Sequence, residues 1–499
     1  MSSPVIIAGA GPVGLLLAHE LGLAGVATVV LERRTETDLR SPGMAINGAV
    51  VELLDQRGLL DGLRALALPL PAAHFSQLWL ETSGLEGRHE QSMILPQWRI
   101  EQHLEQEAVR VGAEVRRGVE VVALTQDADG VAVTVRSAEG ESTLNGSFVV
   151  GCDGAQSTVR ELAGIGFPGR ESAFYGIIGD IEADFADLLP EQFGAHYSPL
   201  GGTYAGTPVG PDIWRINTAE FGVAPADPQA PVTMAELNER VLRLTGTEFK
   251  SARPLWLTRT GNPTGHAERY RSGRVFLAGD AAHVFFPFNG QRLSTGFQDV
   301  LNLGWKLAAE LAGRAPEGLL DTYHDERHPV GERVLMNIQA QEVLAGSLGS
   351  AGPLRDLFGD LIRIDAVNRY LLEMVMGLGI AYPMPGGNLA PGAADGLLGR
   401  RLPHVPLVTD GGESSVPRLL RGGRAVLLDL SGGSLSPGDL SGWSGALDVV
   451  VAEPTEALPV VAVLLRPDGH VAWVAESGDP AGSSGLGAAL RTWLGDPVK

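Results

Sequence analysis

Three clusters of glycine and acidic residues carry the chemistry that this sequence can do. The first is Gly9, Gly11 and Gly14 in VIIAGAGPVG, with Glu32 at the end of the next apolar run, TVVLE. Gly9 permits a tight turn, Gly11 lets the backbone approach a pyrophosphate, and Gly14 lets a helix pack closely on a strand. This is G-x-G-x-x-G in a strand–turn–helix–strand context, a dinucleotide-binding unit. Amides at the helix start face a diphosphate. Glu32 is placed to accept hydrogen bonds from an adenosine ribose and would repel a phosphate there, so FAD or NAD fits better than NADP. The second cluster is Asp153-Gly154 in FVVGCDGAQSTVR. The third is Gly279-Asp280 in VFLAGDAAHVFFPFNGQRLSTGF. Taken singly, either aspartate could be only a helix cap.

These clusters need elements to hold them. Val5 to Ala8 and Thr28 to Leu31 predict buried parallel strands, and Leu15 to Leu21 a buried helix. Val275 to Ala278 predicts a further strand, followed by a long helix from about Leu293, whose apolar residues keep mostly helical spacing. Residues 171–272 alternate and carry aromatic residues and glycine turns, as an antiparallel sheet does. Pro329 to Met376 predicts one or two helices. Tyr382 to Gly396 is rich in proline and glycine and predicts a linker. The last hundred or so residues predict a small α/β unit, with a hairpin turn at Pro467-Asp468-Gly469.

Composition removes several function classes. With 499 residues, two or three domains are expected. The formal charge is -21, from 38 basic and 59 acidic residues, which argues against nucleic acid or an anionic membrane as partner. Cys152 is the single cysteine, so an internal disulfide is excluded; the absence of C-x-x-C or a Cys/His cluster argues against a structural zinc site, and a reducing, cytoplasmic location is expected. No uncharged apolar run of about 18 residues predicts a membrane span. The segment before Arg33 has no Lys or Arg, against a signal peptide.

The order and separation of the three clusters resembles the class A flavoprotein monooxygenases, the group of para-hydroxybenzoate hydroxylase. The resemblance implies an α/β fold: a Rossmann-like FAD-binding domain (1–170 and 273–385, with C-terminal helices) and an antiparallel-sheet substrate domain (171–272). The region after the linker (386–396) resembles the thioredoxin-like C-terminal domain of the aromatic polyketide hydroxylases (397–499), here without cysteine and so without thiol redox chemistry. Carried over residue by residue, Gly9, Gly11, Pro12, Val13 and Gly14 would seat the FAD diphosphate. Glu32 would hold the adenosine ribose, with Arg33 and Leu124 beside the adenine. Arg40 would lie near the diphosphate and NAD(P)H, Gln97 near the ribityl chain, and Asp153 in the motif that serves both cofactors. Gly279-Asp280 would bind the ribityl chain, and Pro287 and the amides from Gly290 through Arg292 and Leu293 to Ser294 would face the isoalloxazine ring. Amides at a helix start suit that position, because reduced flavin carries negative charge at its N1/C2=O edge.

The family usually has G-G-Q-G-L/M-N where this chain has Asn289-Gly290-Gln291-Arg292-Leu293-Ser294. Arg292 would be strained if it needed φ > 0; otherwise its cation sits near the flavin or the substrate mouth, or points to solvent. Phe285 and Phe286 are candidates for the substrate pocket, with Trp79, Trp214 and Phe221 behind them. His283 suits a hydrogen-bonded structural role better than a catalytic one. No protein nucleophile, catalytic base or metal site is identified. The resemblance implies a monooxygenase that uses FAD, NADPH (or NADH) and O₂ to hydroxylate a phenolic polycyclic polyketide of an antibiotic pathway, through a flavin C4a-hydroperoxide. Baeyer–Villiger insertion, antibiotic inactivation by the same flavin, and flavin binding without turnover remain alternatives.

Overall fold

The computed structural model describes the 499-residue chain except residues 1–2, 41–42, 86–88, 171–173, 185–195, 222–226, 228–229, 262, 287, 385–395, 457, 477–484 and 499. Strand β1 (Val5–Ala8), helix α1 (Pro12–Leu23) and strand β2 (Thr28–Glu32) form the expected first unit. They belong to a six-stranded sheet ordered Arg271–Ser272, Val275–Leu277, Phe148–Gly151, β1, β2, Glu114–Arg117. All neighbours are parallel except the Arg271–Ser272 edge. Every residue of β1, β2 and Phe148–Gly151 is buried, as expected of a parallel sheet covered on both faces. Helix α1 has Pro12 at its start and packs against helix α2 (Gln291–Leu311). All three clusters thus lie at the carboxyl ends of neighbouring parallel strands, where open α/β sheets bind ligands.

The second sheet is antiparallel, ordered His196–Tyr197, Gly202–Gly210, Ile213–Phe221, Phe174–Glu182, Arg253–Gly261. One face is covered by the helix Met234–Thr245, capped by Thr233 and ended by Gly246 at φ 78°. Ile177 and Ile216 point to that covered face and pack with Leu237 and Val241. Their neighbours Ile178 and Asn217 therefore point the other way, by the two-residue period of a strand.

Helix α3 (Thr322–Leu344) lies against α2 and is followed by helices Leu348–Ile362 and Asp365–Met376. This is three helices where one or two were expected, and Pro329 lies inside the first instead of opening it. The helix survives its proline because it is pinned beyond it: Ile338, Gln341 and Leu344 are all buried. The C-terminal unit has a six-stranded sheet ordered Gly412–Ser415, Pro406–Thr409, Leu447–Pro454, Ala425–Asp429, Ala462–Leu465, Val471–Ala475. Helix Leu486–Leu494 packs on it through Leu490 and Trp493. The expected linker falls almost wholly outside the described residues.

Candidate functional site

A cavity of about 1170 Å³ runs from the glycine turn to the second sheet. That exceeds the roughly 300–1,000 Å³ of an ordinary small-molecule pocket, so it has room for a cofactor and a substrate together. At one end it is lined by Gly9, Gly11, Pro12 and Val13. Gly9 has φ +105°, and a Cβ there would lie 2.3 Å from the Cys152 carbonyl oxygen, so only glycine fits. Gly14 does not reach the cavity; its hydrogen side lies against the Gly9 oxygen, where a Cβ would sit at 2.1 Å.

Glu32 and Arg33 line the same end. One Glu32 carboxylate oxygen accepts the Ala10 amide at 2.8 Å, and the other accepts the Arg34 amide at 2.9 Å. Burial opposes ionisation of Glu32, but these amides and the Arg34 cation outweigh it and hold its carboxyl below the usual range. Arg40, Gln97 and Asp153 also line the cavity. Asp153 accepts Ser157 Oγ at 2.5 Å and the Val159 amide at 3.0 Å. Its burial prevails over these bonds and raises its pKa. Leu124 is not on the cavity. It faces the core from its strand, and Val119 to Val121 of the same segment take the place expected of it.

Asp280, Gly290, Arg292 and Leu293 form the middle of the wall. The left-handed conformations of this loop fall on Asn289 (φ 54°) and Gly290 (φ 68°). Arg292 is an ordinary residue in the first turn of α2 and is unstrained. Its Nε donates to Asp280 at 2.6 Å and its Nη2 donates to the other carboxylate oxygen. Both side chains are about one-third exposed, so the pair opens on the cavity (31% and 34%). Ser294 turns away: it is buried and accepts Gln298 Nε2 at 3.2 Å. Gly279 lies just behind the wall and donates its amide to Asp299 at 3.0 Å. Pro287 lies outside the described residues.

Behind that wall Asp299 also accepts His283 Nε2 at 2.8 Å and Arg327 Nε at 2.8 Å. Burial resists the Asp299 charge, but the Arg327 cation keeps its pKa low. His283 is thus a buried structural partner, absent from the cavity lining.

The far end is lined by Phe285, Phe286 and Trp79, and by Ile178, Thr207, Asn217 and Arg259 of the antiparallel sheet. Trp214 is not among them. It shares the face of Ile216 and packs into the helix-covered core. The Phe221 side chain lies outside the described residues. Arg259 donates Nη2 to Glu236 at 2.9 Å, while among the described residues its buried Nε has no partner. His74 at the same end, Asn217 and Arg259 were not singled out by sequence. Alternation in the second sheet was the one signal that pointed to Asn217; Arg259 pairs with Ile177 and sends its guanidinium to Glu236 of the covering helix, so alternation gave no signal for it.

A parallel sheet with a diphosphate-sized glycine turn, an acid on the second strand and an adjoining aromatic chamber defines a flavin-dependent oxidoreductase architecture. The chain matches the FAD binding domain family over residues 2–338 and the aromatic-ring hydroxylase C-terminal family over residues 395–497. It is 44% identical over 495 residues to the dialkyldecalin synthase of Streptomyces rugosporus, covering 99% of each chain. It is 41% identical over 513 residues to the 12-dehydrotetracycline 5-monooxygenase/anhydrotetracycline 6-monooxygenase of Streptomyces rimosus subsp. rimosus, covering 100% of each. The solved anhydrotetracycline hydroxylase of Streptomyces rimosus superposes with a TM-score of 0.88 at 40% identity, covering 100% of both chains. The chain belongs to the FAD-dependent aromatic-ring hydroxylases, in the class A group that contains the polyketide hydroxylases. No helix among the described residues is long and apolar enough to cross a membrane.

Proposed function

We propose that this protein is an FAD-dependent monooxygenase that uses NAD(P)H and O₂ to hydroxylate a phenolic polycyclic polyketide in the cytoplasm. One observation carries the reading: a single cavity joins the glycine turn to an aromatic and polar chamber. The similarity to a tetracycline-type monooxygenase supports the substrate class. FAD, when bound, would pass two electrons from NAD(P)H to O₂, so that one oxygen atom of O₂ goes to the ring and the other leaves as water. The chain's own residues bind, orient and exclude water.

The turn at Gly9 to Val13 and the start of α1 take the diphosphate, and Glu32 the adenosine ribose. Arg33 flanks the adenine; Arg40 and Asp153 serve the FAD diphosphate and NAD(P)H, and Gln97 and Asp280 the ribityl chain. The first amides of α2, beyond Gly290, favour negative charge at the flavin ring. Phe285 and Phe286, buried beside that loop, keep the reacting region dry. Purified protein is expected to be yellow, and anaerobic NADPH to bleach it faster when a tetracyclic phenol is present. With air, the product should gain one oxygen atom. Colourless protein that cannot take up FAD would overturn the reading.

A second reading rests on the similarity to the dialkyldecalin synthase. In this reading the cavity closes rings on a polyketide while FAD stays oxidised. Its product would have the mass of its substrate and would form without NADPH.

A further inference from the structure

We propose that His74 is a neutral hydrogen-bond donor to a ketone or phenolic oxygen of the substrate, and that it fixes which ring edge faces the flavin loop. This rests on the reading that the cavity takes an oxygenated polycyclic substrate. His74 lies on a hairpin of strands β3 (Ala73–Phe75) and β4 (Leu78–Leu80). Its two turn residues, Ser76 and Gln77, are left-handed at φ 54° and 57°. That turn hand matches strand twist but normally takes glycine or asparagine.

Neighbouring helices hold it in place. Ser76 donates its amide to Gln341 Oε1 at 3.0 Å and its hydroxyl to the Gln341 carbonyl at 2.7 Å, and its own carbonyl accepts Arg355 at 3.0 Å. So clamped, the turn aims the Gln77 amide at His74 Nδ1, 3.2 Å away. A neutral imidazole that accepts at Nδ1 carries its proton on Nε2. Among the described residues Nε2 has no hydrogen-bond partner, and the ring lines the cavity. Trp79 and Phe288 meet it edge-on, with centroids at 5.7 and 6.3 Å. This burial, without an acid beside it, lowers the His74 pKa to about 4, so the ring donates without carrying charge at neutral pH.

The backbone fixes the donor relative to the flavin loop. The His74 amide donates to Asn289 Oδ1 at 3.4 Å, and Asn289 Nδ2 donates to the His74 carbonyl at 2.9 Å. Asn289 precedes Gly290, the residue at the start of α2. Hairpin and flavin loop are therefore tied together at His74 and Asn289, which sets the donor's place against the expected ring. A fixed, uncharged, single donor selects an acceptor oxygen and gives nothing to a hydrocarbon edge.

The test uses the FAD-loaded protein and two probes, 1,8-dihydroxyanthraquinone and anthracene, followed by the change in flavin absorbance. Replacing His74 by Phe (H74F) removes the donor; H74Q keeps an N–H near the Nε2 position. H74F is expected to weaken the quinone about tenfold, the loss of one hydrogen bond, and anthracene by less than about twofold. H74Q should recover most of the quinone affinity. Equal weakening of both probes, or no recovery in H74Q, would show that His74 only packs and would overturn the proposal. A wild-type protein that holds FAD but binds neither probe would overturn the functional reading itself, and the proposal with it. Flavin content in each variant reports folding separately.

Discussion

Two arginine–carboxylate pairs grip the same loop from opposite sides. On the cavity side Arg292 holds Asp280, and both are about one-third exposed. On the core side Arg327 holds Asp299, and both are fully buried, at 0%. Asp299 in turn takes the Gly279 amide, the residue before Asp280. Arg327 also donates to Tyr382 at 2.9 Å, and Tyr382 stacks on His470 of the C-terminal unit with centroids 4.2 Å apart. Next to Arg327, Glu326 accepts Arg466 at 2.6 and 2.9 Å and Lys306 at 2.8 Å. The buried pair is therefore one link of a polar network that joins α2, α3 and the C-terminal hairpin. The difference teaches how one loop serves scaffold and ligand at once. A desolvated pair loses much when one partner is removed, because the other charge is stranded. A solvated pair can trade its partner for a ligand at little cost. A C-terminal unit without cysteines thus has work other than thiol chemistry: it braces the floor beneath the Gly279–Asp280 loop.

The largest expected effect breaks the buried side. Replacing Arg327 by Met (R327M) strands the Asp299 carboxylate and should cost about 3–5 kcal/mol in urea unfolding. R292Q should cost no more than about 1 kcal/mol. Similar losses in both variants would erase the distinction between the two pairs.

A smaller effect comes with acid. Burial opposes the Glu326 charge, but the Arg466 and Lys306 cations overcome it and set its pKa at about 2. Folded Glu326 thus holds its proton less tightly than an unfolded glutamate. Its stabilisation is complete above the ordinary carboxylate range and fades as pH falls towards about 2. Plotted against pH in that window, wild-type unfolding free energy should fall more steeply than that of E326Q, by up to one proton, or about 1.4 kcal/mol per pH unit. Equal slopes would mean that Glu326 binds its proton alike in the folded and unfolded protein, so that its ion pairs give the charged form no net advantage.

Local chemistry was legible in the sequence where a motif and an element period coincide. The βαβ unit, the antiparallel sheet and the turn at Gly9 are of this kind, because glycine at φ +105° leaves a mark in composition. Facing was less legible. Trp214 and Leu124 had the right residue type but the wrong side of their strands, and one step of register decides that. Ser294 enters the reading of the flavin loop by its amide alone, and its side chain turns to the far side of the helix. The hairpin that bears His74 left no signal, since Ser76 and Gln77 are not turn residues by type and are held by Gln341 and Arg355, far along the chain. Nothing in the sequence singles out Arg327 or Asp299, which lie 28 residues apart on different helices. Only the packed fold brings them together.

The smallest expected effect concerns the open pair and decides what Arg292 does. Both Asp280 oxygens are engaged by the guanidinium, so a ribityl hydroxyl must share them with a cation that weakens them as acceptors. Removing the cation in R292Q should free the carboxylate and tighten FAD binding to the apoprotein about fivefold, the worth of one solvated ion pair. D280N should weaken it, since the amide is a poorer acceptor for a hydroxyl. Fluorescence titration of apoprotein with FAD measures both. Weaker FAD binding in R292Q would give the opposite assignment: Arg292 would leave Asp280 on loading and hold the cofactor itself. Salt separates the two cases, because a cation that moves to the diphosphate makes wild-type affinity more salt-sensitive than that of R292Q. A cation that stays on Asp280 leaves the two salt dependences alike.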